Sequence, residues 1–418
     1  MWRRVRRSAA AWQPAPVTVD LQSLVIIAML AVLAPIIADV PRRFRVAIVV
    51  VEIVLGIIVG PDVLGVVETD PFIDALANIG LAALFFLAGS EIELQLIRGR
   101  PLRLAAGGWL ASLMIGAAAA VALEATDVIQ DPEIVAIALA TTALGVLVPI
   151  LRDEGMMGTP FGTMVMAAGS VGEVGPIILV SIFLTATKNS LTAAVLLAAF
   201  VVVAVGLAIA APHIHIRTVE RLIRETMEAS GQLAVRICLL LLVSLVFLAV
   251  ELDLELVLGA FAAGVIYAVA TRGAPGAAVL KTKLDAIAFG FLVPIFFIRS
   301  GLTFDLSGLL DSPAAMAQVP IFMCLFLIAR GTPAVFEARH LGRDAILPLG
   351  FLSASTLPLV VTISEAGVRE GQLGSATAAA LVGAAMLTVL VYPAVALALM
   401  GRRQPQREPS DDPEPEAL

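Results

Sequence analysis

The chain has 418 residues, of which 60% are hydrophobic and 15% charged, with a net charge of −7 and a mean hydropathy of +0.99. Soluble domains carry about 45–50% apolar and about 25% charged residues, so this composition excludes an ordinary soluble protein and indicates a polytopic membrane protein. The acidic balance argues against a nucleic-acid partner. Two cysteines and three histidines indicate neither a disulfide framework nor a Cys/His metal centre, so we expect no resident metal or cofactor.

Apolar runs long enough to cross a bilayer as helices, which need roughly 20 residues, follow one another along the chain. Thirteen segments are predicted, at 20–40, 46–60, 72–94, 102–124, 133–151, 160–186, 190–210, 232–250, 254–271, 284–302, 313–336, 344–367 and 374–400. The membrane domain is therefore predicted to cover residues 20–400, after an N-terminal extension of residues 1–19. The tail at 401–418 has too few apolar residues to fold and is expected to be disordered.

The positions of lysine and arginine indicate how the segments are oriented, since cytoplasmic loops retain positive charge. Eighteen of these residues fall in or at the ends of the odd-numbered loops and in the C-terminal tail, against two in the other loops. The chain is therefore predicted to lie in a bacterial-type plasma (inner) membrane with its N-terminus outside and its C-terminus in the cytoplasm. Four arginines between Arg3 and Arg7 disagree with this orientation.

Three short motifs occur twice, in the same order. The stretches 52–56, 85–89 and 141–145 have counterparts at 255–259, 296–301 and 353–358, with offsets of 203, 211 and 214 residues. These offsets relate segments 2 to 6 with segments 9 to 13. Because an odd number of segments, seven, separates the partners, the repeats have inverted topology, which is typical of secondary transporters.

One acidic residue lies at the middle of a predicted segment. Glu173 is in segment 160–186, within a run of small residues that lets neighbouring helices approach closely. Ionisable groups at membrane depth usually mark ion or proton paths, so Glu173 is the first candidate ion- and proton-binding residue, with Ser170 as an oxygen ligand beside it. The alternative is a structural carboxyl paired with a neighbouring helix.

Three arginines, Arg236, Arg299 and Arg330, lie within later segments, and two of them have a predicted partner. Arg330 lies about 7–8 Å from the centre of segment 313–336, and we expect it to pair with Glu173 when the site is empty. Because arginine does not deprotonate in proteins, Arg330 cannot carry the transported proton. Two other interpretations are equally open: Arg330 is a fixed structural cation, or its side chain snorkels to the inner interface. Arg299, near the outer end of segment 284–302, is expected to form a snorkelling ion pair with Asp305.

Two segments, 133–151 and 344–367, have polar interruptions. Their hydroxyl and proline residues are Thr141, Thr142 and Pro149 in the first, and Ser353, Ser355, Thr356 and Pro358 in the second. Proline removes a backbone hydrogen bond, and hydroxyls can satisfy the freed carbonyls or bind a cation. Paired breaks in corresponding segments of two repeats indicate a transporter's binding site. An ordinary proline-kinked helix is the alternative.

The stretches 52–61, 84–91, 259–264 and 294–301 resemble the monovalent cation:proton antiporters of the second family, which contains bacterial sodium/proton exchangers and the membrane parts of glutathione-gated potassium efflux systems. The resemblance implies an all-α homodimer of 13-helix subunits, with two inverted five-helix repeats and two broken helices that cross beside the ion site. It implies a core of 102–186 and 313–400, a dimerisation side of 20–94 and 232–302, and a linker helix at 190–210.

The chain departs from that family at the ion site. Family members have an Asp-Asp or Asn-Asp pair where this chain has Gly172 and Glu173, and a lysine or arginine where it has Arg330. With one carboxylate and a cation that does not titrate, we expect electroneutral one-to-one exchange, in which Glu173 binds either a proton or a cation. Ser170 and Thr142 are the expected neutral ligands.

The sequence therefore predicts a secondary antiporter that exchanges protons for Na⁺ or K⁺ by alternating access. A channel-like or degenerate transporter that acts as an ion or pH sensor is the first alternative, and the missing side chain at Gly172 favours it. An intramembrane enzyme is a remote alternative, because the chain has no His-Glu-x-x-His or Gly-x-Ser-x-Gly run. The choice among Na⁺, K⁺ and Li⁺ depends on ligand geometry rather than on residue types.

Overall fold

In a computed structural model of the chain, all regular structure among the described residues is helical. The structure describes residues 21–39, 47–92, 99–130, 132–210, 232–274 and 276–401, without the side chains of 184–194, 208–210, 340 and 401. The predictions for the N-terminal extension, for its four arginines and for the C-terminal tail lie outside the described residues.

The described residues form two short 3₁₀-helices, Ala338–His340 and Arg343–Ala345, and fifteen longer helices, which are numbered here in chain order. They are α1 (Leu21–Asp39), α2 (Ile48–Val59), α3 (Pro71–Ser90), α4 (Arg100–Glu124), α5 (Pro132–Leu139), α6 (Leu144–Asp153), α7 (Pro160–Ala210), α8 (Leu233–Glu251), α9 (Leu256–Ala270), α10 (Ala277–Leu302), α11 (Leu306–Asp311), α12 (Pro313–Glu337), α13 (Ile346–Ser353), α14 (Pro358–Arg369) and α15 (Ser375–Gly401). Two of them contain a π-helical stretch, Ala288–Leu292 in α10 and Leu327–Gly331 in α12.

The helices coincide with the predicted segments. Within the described ranges, nine stretches are long and apolar enough to cross a membrane, and ten if the bent pair α13–α14 is one span. Three shorter apolar stretches are helical as well: Ile48–Val59 (α2), Leu256–Ala270 (α9) and Val195–Leu207, which is part of α7. An all-α, multi-pass membrane protein is therefore confirmed, whereas the count of thirteen spans stays a prediction.

One predicted boundary is wrong. The sequence analysis separates segments 160–186 and 190–210 by a loop, but the backbone of α7 is a continuous helix of 51 residues. The stretch from 184 to 194 contains neither proline nor glycine, so nothing in it breaks the helix. The role of 190–210 as a separate linker helix stays a prediction.

The chain divides into two compact units. Unit 1 contains the described residues up to Glu91 together with Phe200–Glu251 and Gly259–Phe304. Unit 2 contains those of Ile92–Ala199, Leu252–Leu258 and the residues from Asp305 onward. These ranges resemble the predicted dimerisation side and core, but the roles given to the two sides stay predictions.

Within unit 1, glycines of the repeated motifs lie where helices touch. A Cβ added to Gly56 of α2 would lie 3.0 Å from the Cα of Gly301 in α10. A Cβ added to Gly264 of α9 would lie 2.9 Å from the backbone nitrogen of Ser90 in α3. The glycine-bearing helix of each repeat thus packs on the Phe-Phe helix of the other repeat, and glycine permits both close approaches.

The predicted partner of Arg299 is wrong. Its Nε donates to Asp74 Oδ1 at 2.8 Å, and both residues belong to unit 1. Asp305 instead precedes α11 and accepts a hydrogen bond from the Gly308 backbone N–H at 2.7 Å, which caps that helix. The sequence analysis chose the acid that is near in sequence, whereas the actual partner is 225 residues away.

Candidate ion site

Both interrupted segments are broken helices, and both lie in unit 2. In the first, α5 ends at Leu139 and α6 begins at Leu144. In the second, α13 ends at Ser353 and α14 begins at Pro358, with a bend of 42° between the halves. Pro358 is the first residue of its helix, where the missing backbone N–H is not needed. The alternative of merely kinked helices is therefore wrong.

The two breaks contact each other directly. Thr141 Oγ1 and Thr356 Oγ1 lie 2.6 Å apart, and Thr142 Oγ1 donates to the Ser353 carbonyl at 2.5 Å. The backbone N–H of Ala143 donates to the Ser355 carbonyl at 2.9 Å. Backbone groups that lost their helical partners are thus satisfied by the opposite break, as membrane burial requires. Thr141, Thr142, Ser353, Ser355 and Thr356 take part in these contacts, whereas their role in ion transport stays a prediction.

Arg330 lies at this crossing, in the π-helical stretch of α12, and is 1% exposed. Its Nε donates to Thr142 Oγ1 at 2.8 Å, Nη1 to Ser112 Oγ at 3.1 Å, and Nη2 to the Ala168 carbonyl at 3.0 Å. The snorkelling alternative is therefore wrong, because the guanidinium is buried and bound on three sides by neutral oxygens. The predicted pairing of Arg330 with Glu173 stays a prediction.

Helix α7 reaches the crossing at Gly172. The Gly172 carbonyl accepts a hydrogen bond from the Thr142 backbone N–H at 3.0 Å, and Glu173, the next residue, is 4% exposed. Ser170 is 3% exposed, and its hydroxyl makes no hydrogen bond with the described residues. The same holds for the hydroxyl of Ser353, which is 1% exposed. Buried polar oxygens of this kind mark a place where an ion or water is expected.

The structure explains why position 172 is a glycine. A Cβ there would lie 2.6 Å from Arg330 Nη2 and 2.7 Å from Thr142 Oγ1. Such distances are well inside van der Waals contact, so any side chain would displace the guanidinium or the threonine. The guanidinium of Arg330 thus occupies the space that a side chain at position 172 would need. This is the position at which the family named in the sequence analysis has the first acid or amide of its pair.

Three further side chains support the crossing and were missed in the sequence analysis. Trp109 Nε1 donates to the Ala140 carbonyl at 3.1 Å, and the Ser112 hydroxyl receives Arg330. Thr388 Oγ1 donates to the Thr356 carbonyl at 3.1 Å and accepts from the Thr356 backbone N–H at 3.2 Å. Their signal in the sequence was a lone polar side chain inside an otherwise apolar run.

Comparison with known families agrees with this geometry. A family model described as sodium/hydrogen exchanger, transmembrane, matches residues 28–400, which is most of the chain. The chain belongs to the transmembrane sodium/hydrogen exchanger family. The family that the motifs predicted is therefore confirmed.

This sodium/hydrogen exchanger chain is similar to several named antiporters. It is 26% identical over 397 residues to the putative Na⁺/H⁺ antiporter YjbQ of Bacillus subtilis (strain 168), covering 90% of this chain and 62% of that protein. It is 28% identical over 315 residues to cation/H⁺ antiporter 15 of Arabidopsis thaliana, covering 69% of this chain and 37% of that protein. The chain thus spans less than two thirds of both relatives. The Na⁺/H⁺-K⁺ antiporter GerN of Bacillus cereus is 25% identical over 382 residues, which is 88% of this chain and 93% of GerN.

A solved structure has the same fold. The sodium proton antiporter MjNhaP1 from Methanocaldococcus jannaschii superposes with a TM-score of 0.66 over 91% of this chain and 99% of that one, at 16% identity. This confirms the all-helical transporter fold of the exchanger family.

Proposed function

We propose that the chain is a secondary antiporter that exchanges protons for Na⁺ or K⁺, with Glu173 as the carboxylate that binds either one. The observation that carries the proposal is the crossing of two broken helices beside a buried acid on α7. Glu173 is the residue after Gly172, and the Gly172 carbonyl accepts a hydrogen bond from the Thr142 backbone N–H in the first break. The named relatives are antiporters, which supports transport rather than intramembrane catalysis.

The site offers oxygen ligands suited to a monovalent cation. Glu173 supplies the charge, and the unbonded hydroxyl of Ser170, one turn earlier on α7, supplies a neutral oxygen. The Thr142 hydroxyl gives its proton to Ser353 and therefore presents its lone pairs, one of them to Arg330 and the other to a cation. When a proton binds Glu173, the cation loses its countercharge and leaves, so the two ligands compete.

This competition makes the proposed exchange one-to-one and electroneutral. Arg330 keeps its charge throughout, because arginine does not deprotonate and its three hydrogen bonds satisfy it without an acid. The net charge of the site is then the same whether it carries a proton or a cation. Alternating access of this site to the two sides of the membrane completes the proposed cycle.

One observation favours a second function. The position before Glu173 has no side-chain ligand, so cation binding could be too weak for coupled exchange, and the chain would then act as a channel or a sensor. The proposed antiporter requires that cation flux and proton flux be coupled, whereas a channel does not.

The experiment uses everted vesicles that carry a proton gradient. Added Na⁺, K⁺ or Li⁺ should dissipate the gradient in vesicles with the parent protein, and Glu173→Gln should abolish the response. Glu154→Gln is the matched control, because Glu154 is exposed at the end of α6 in the same unit. A Glu173→Gln variant that behaves like the parent would contradict the site. A rate that depends on clamped membrane potential would contradict one-to-one exchange, and a cation current without proton coupling would support the channel.

Assembly and orientation complete the proposal. We propose a homodimer in the plasma membrane with the C-terminus in the cytoplasm. A protein mass in detergent of twice 43.5 kDa would support the dimer, and a mass of one chain would contradict it. Labelling of cysteines introduced into the loops, from either side of intact cells, tests the orientation.

A further inference from the structure

Unit 2 contains a second buried carboxyl, Glu337, which the sequence analysis passed over because it ended that segment at residue 336. Glu337 is the last residue of α12 and is 2% exposed. Neither of its carboxylate oxygens has a hydrogen-bond partner among the described residues. An ionised carboxylate buried in this way is unstable unless it gains a proton, a cation or water. We therefore expect the Glu337 carboxylate to bind one of these.

Helix α4 leaves room for this carboxyl. A Cβ added to Gly108 would collide with Glu337 Oε1 and lie 2.8 Å from its Cδ. The adjacent Gly107 has no heavy atom within 4 Å of the same position. Gly108 thus provides the space that the Glu337 side chain occupies, whereas Gly107 does not.

A cavity of about 320 Å³ leads to the carboxyl. Glu337 and Met164, which is 4% exposed, are its buried residues, whereas Arg100, Gly158 and Pro160 on its lining are exposed. Arg100 and Thr163 are the other lining residues that have a polar side chain. The lining is otherwise mostly apolar, but the volume is large enough for several waters and these three side chains offer polar partners for them, so a proton can reach Glu337 from outside the unit.

The charged groups around Glu337 connect it to the crossing. Arg330 lies seven residues earlier on α12, about 10 Å along a helix, and attracts the carboxylate electrostatically. Arg100 lines the same cavity, and the Arg339 guanidinium lies over the Phe336 ring, 5.7 Å from its centroid. On the neighbouring elements, Arg103, Glu124, Arg343 and Asp344 are exposed, whereas Glu173 is 4% exposed and belongs to α7, a helix that lines the cavity through other residues. Glu337 therefore lies between the cavity and the guanidinium of the candidate ion site.

We propose that Glu337 is a proton relay that loads and unloads the candidate ion site from the cytoplasmic side. A hydronium ion in the cavity transfers its proton to the carboxylate, which leaves water and a neutral carboxyl; the reverse step returns the proton to water. The inference rests on the proposed antiport and on the predicted orientation, which places the loop after α12 in the cytoplasm. The relay passes on the same proton that Glu173 exchanges, so the one-to-one stoichiometry is unchanged.

The test compares exchange rates over a range of external pH in everted vesicles, where the cytoplasmic face is outside. With saturating cation, Glu337→Gln should still exchange but at least about tenfold more slowly above neutral pH, because the positioned acid–base group is lost where hydronium is scarce. Gly108→Ala, which pushes on the carboxyl, should change the pH profile in the same direction. Gly107→Ala is the matched control and should match the parent. Glu337→Asp, which keeps a titrating group, should recover part of the rate.

The outcomes separate this inference from the proposed function. If Glu173→Gln abolishes exchange while Glu337→Gln keeps the parent's rate and pH profile, the relay is refuted and the antiporter stands. If Glu337→Gln is only less stable, with an unchanged pH profile, Glu337 is a structural countercharge to Arg330 and the relay is again refuted. If the parent shows no exchange, the proposed antiport function is refuted. Protonation of Glu337 is then tested by infrared spectroscopy of the purified protein. A carboxyl band that titrates with pH in the parent and is absent in Glu337→Gln would support the proton site.

Discussion

Replacing Gly172 with alanine tests whether the Arg330 guanidinium lies where the structure places it. The new Cβ would lie 2.6 Å from Arg330 Nη2 and 2.7 Å from Thr142 Oγ1. Ordinary contact needs about 3.5 Å, so one of the two groups must move by about 0.9 Å. The bond from Arg330 Nε to Thr142 Oγ1, now 2.8 Å, would then exceed hydrogen-bond distance.

The cost follows from what is broken. A hydrogen bond to a charged group contributes about 1.5–3 kcal/mol, and here the arginine would stay buried without a replacement partner. The Gly172→Ala variant should therefore unfold with a free energy lower by about 1.5–3 kcal/mol, which is a change of about 10- to 150-fold in the unfolding equilibrium. If Thr142 moves instead, its bond to the Ser353 carbonyl is lost as well.

The assay is titration of the purified protein with sodium dodecyl sulfate, followed by far-ultraviolet circular dichroism, alongside exchange in vesicles. Gly145→Ala is the matched control, because Gly145 lies in α6 near the same break and a Cβ there meets no heavy atom within 4 Å. The control should be as stable as the parent or more so, since alanine favours helix more than glycine. If Gly172→Ala and Gly145→Ala unfold alike, the placement of Arg330 against Gly172 is wrong.

Two further predictions concern other contacts of unit 2. Trp109→Phe should lower the free energy of unfolding by about 1–3 kcal/mol in the same titration, because the buried carbonyl of Ala140 loses its donor; an unchanged midpoint would contradict this role. Hydrogen bonds from Ser375 and from the Gly308 backbone hold the pKa of Asp305 below its ordinary value of 3.8. The stabilisation is therefore fully present above about pH 3.8 and is lost as pH falls through the lower pKa of the folded state. Asp305→Asn should have a lower melting temperature than the parent at about pH 6, and this difference should shrink as the pH is lowered below 3.8. A difference that is constant with pH would contradict this explanation.

Local patterns were sufficient for the positions of the helices and of the two breaks. Apolar runs set where a chain can cross a bilayer, and Thr141, Thr142 and Pro358 lie in short polar interruptions that a single window of sequence reveals. The repeat offsets added the relation between the two breaks, and the structure joins them by hydrogen bonds across more than 200 residues. The backbone of α7 was misjudged, because a few polar residues were taken as a loop although none of them breaks a helix.

The sequence by itself therefore determined that this protein is a multi-pass membrane protein with a buried acid on one helix, a buried cation on another and two interrupted helices. Only the tertiary structure decided what these groups contact. It assigned Arg330 to three neutral oxygens, explained Gly172 by the space that the guanidinium needs, and revealed Glu337 at the end of a cavity. Those relations depend on distances between residues far apart in the chain, and composition and periodicity carry no information about such distances.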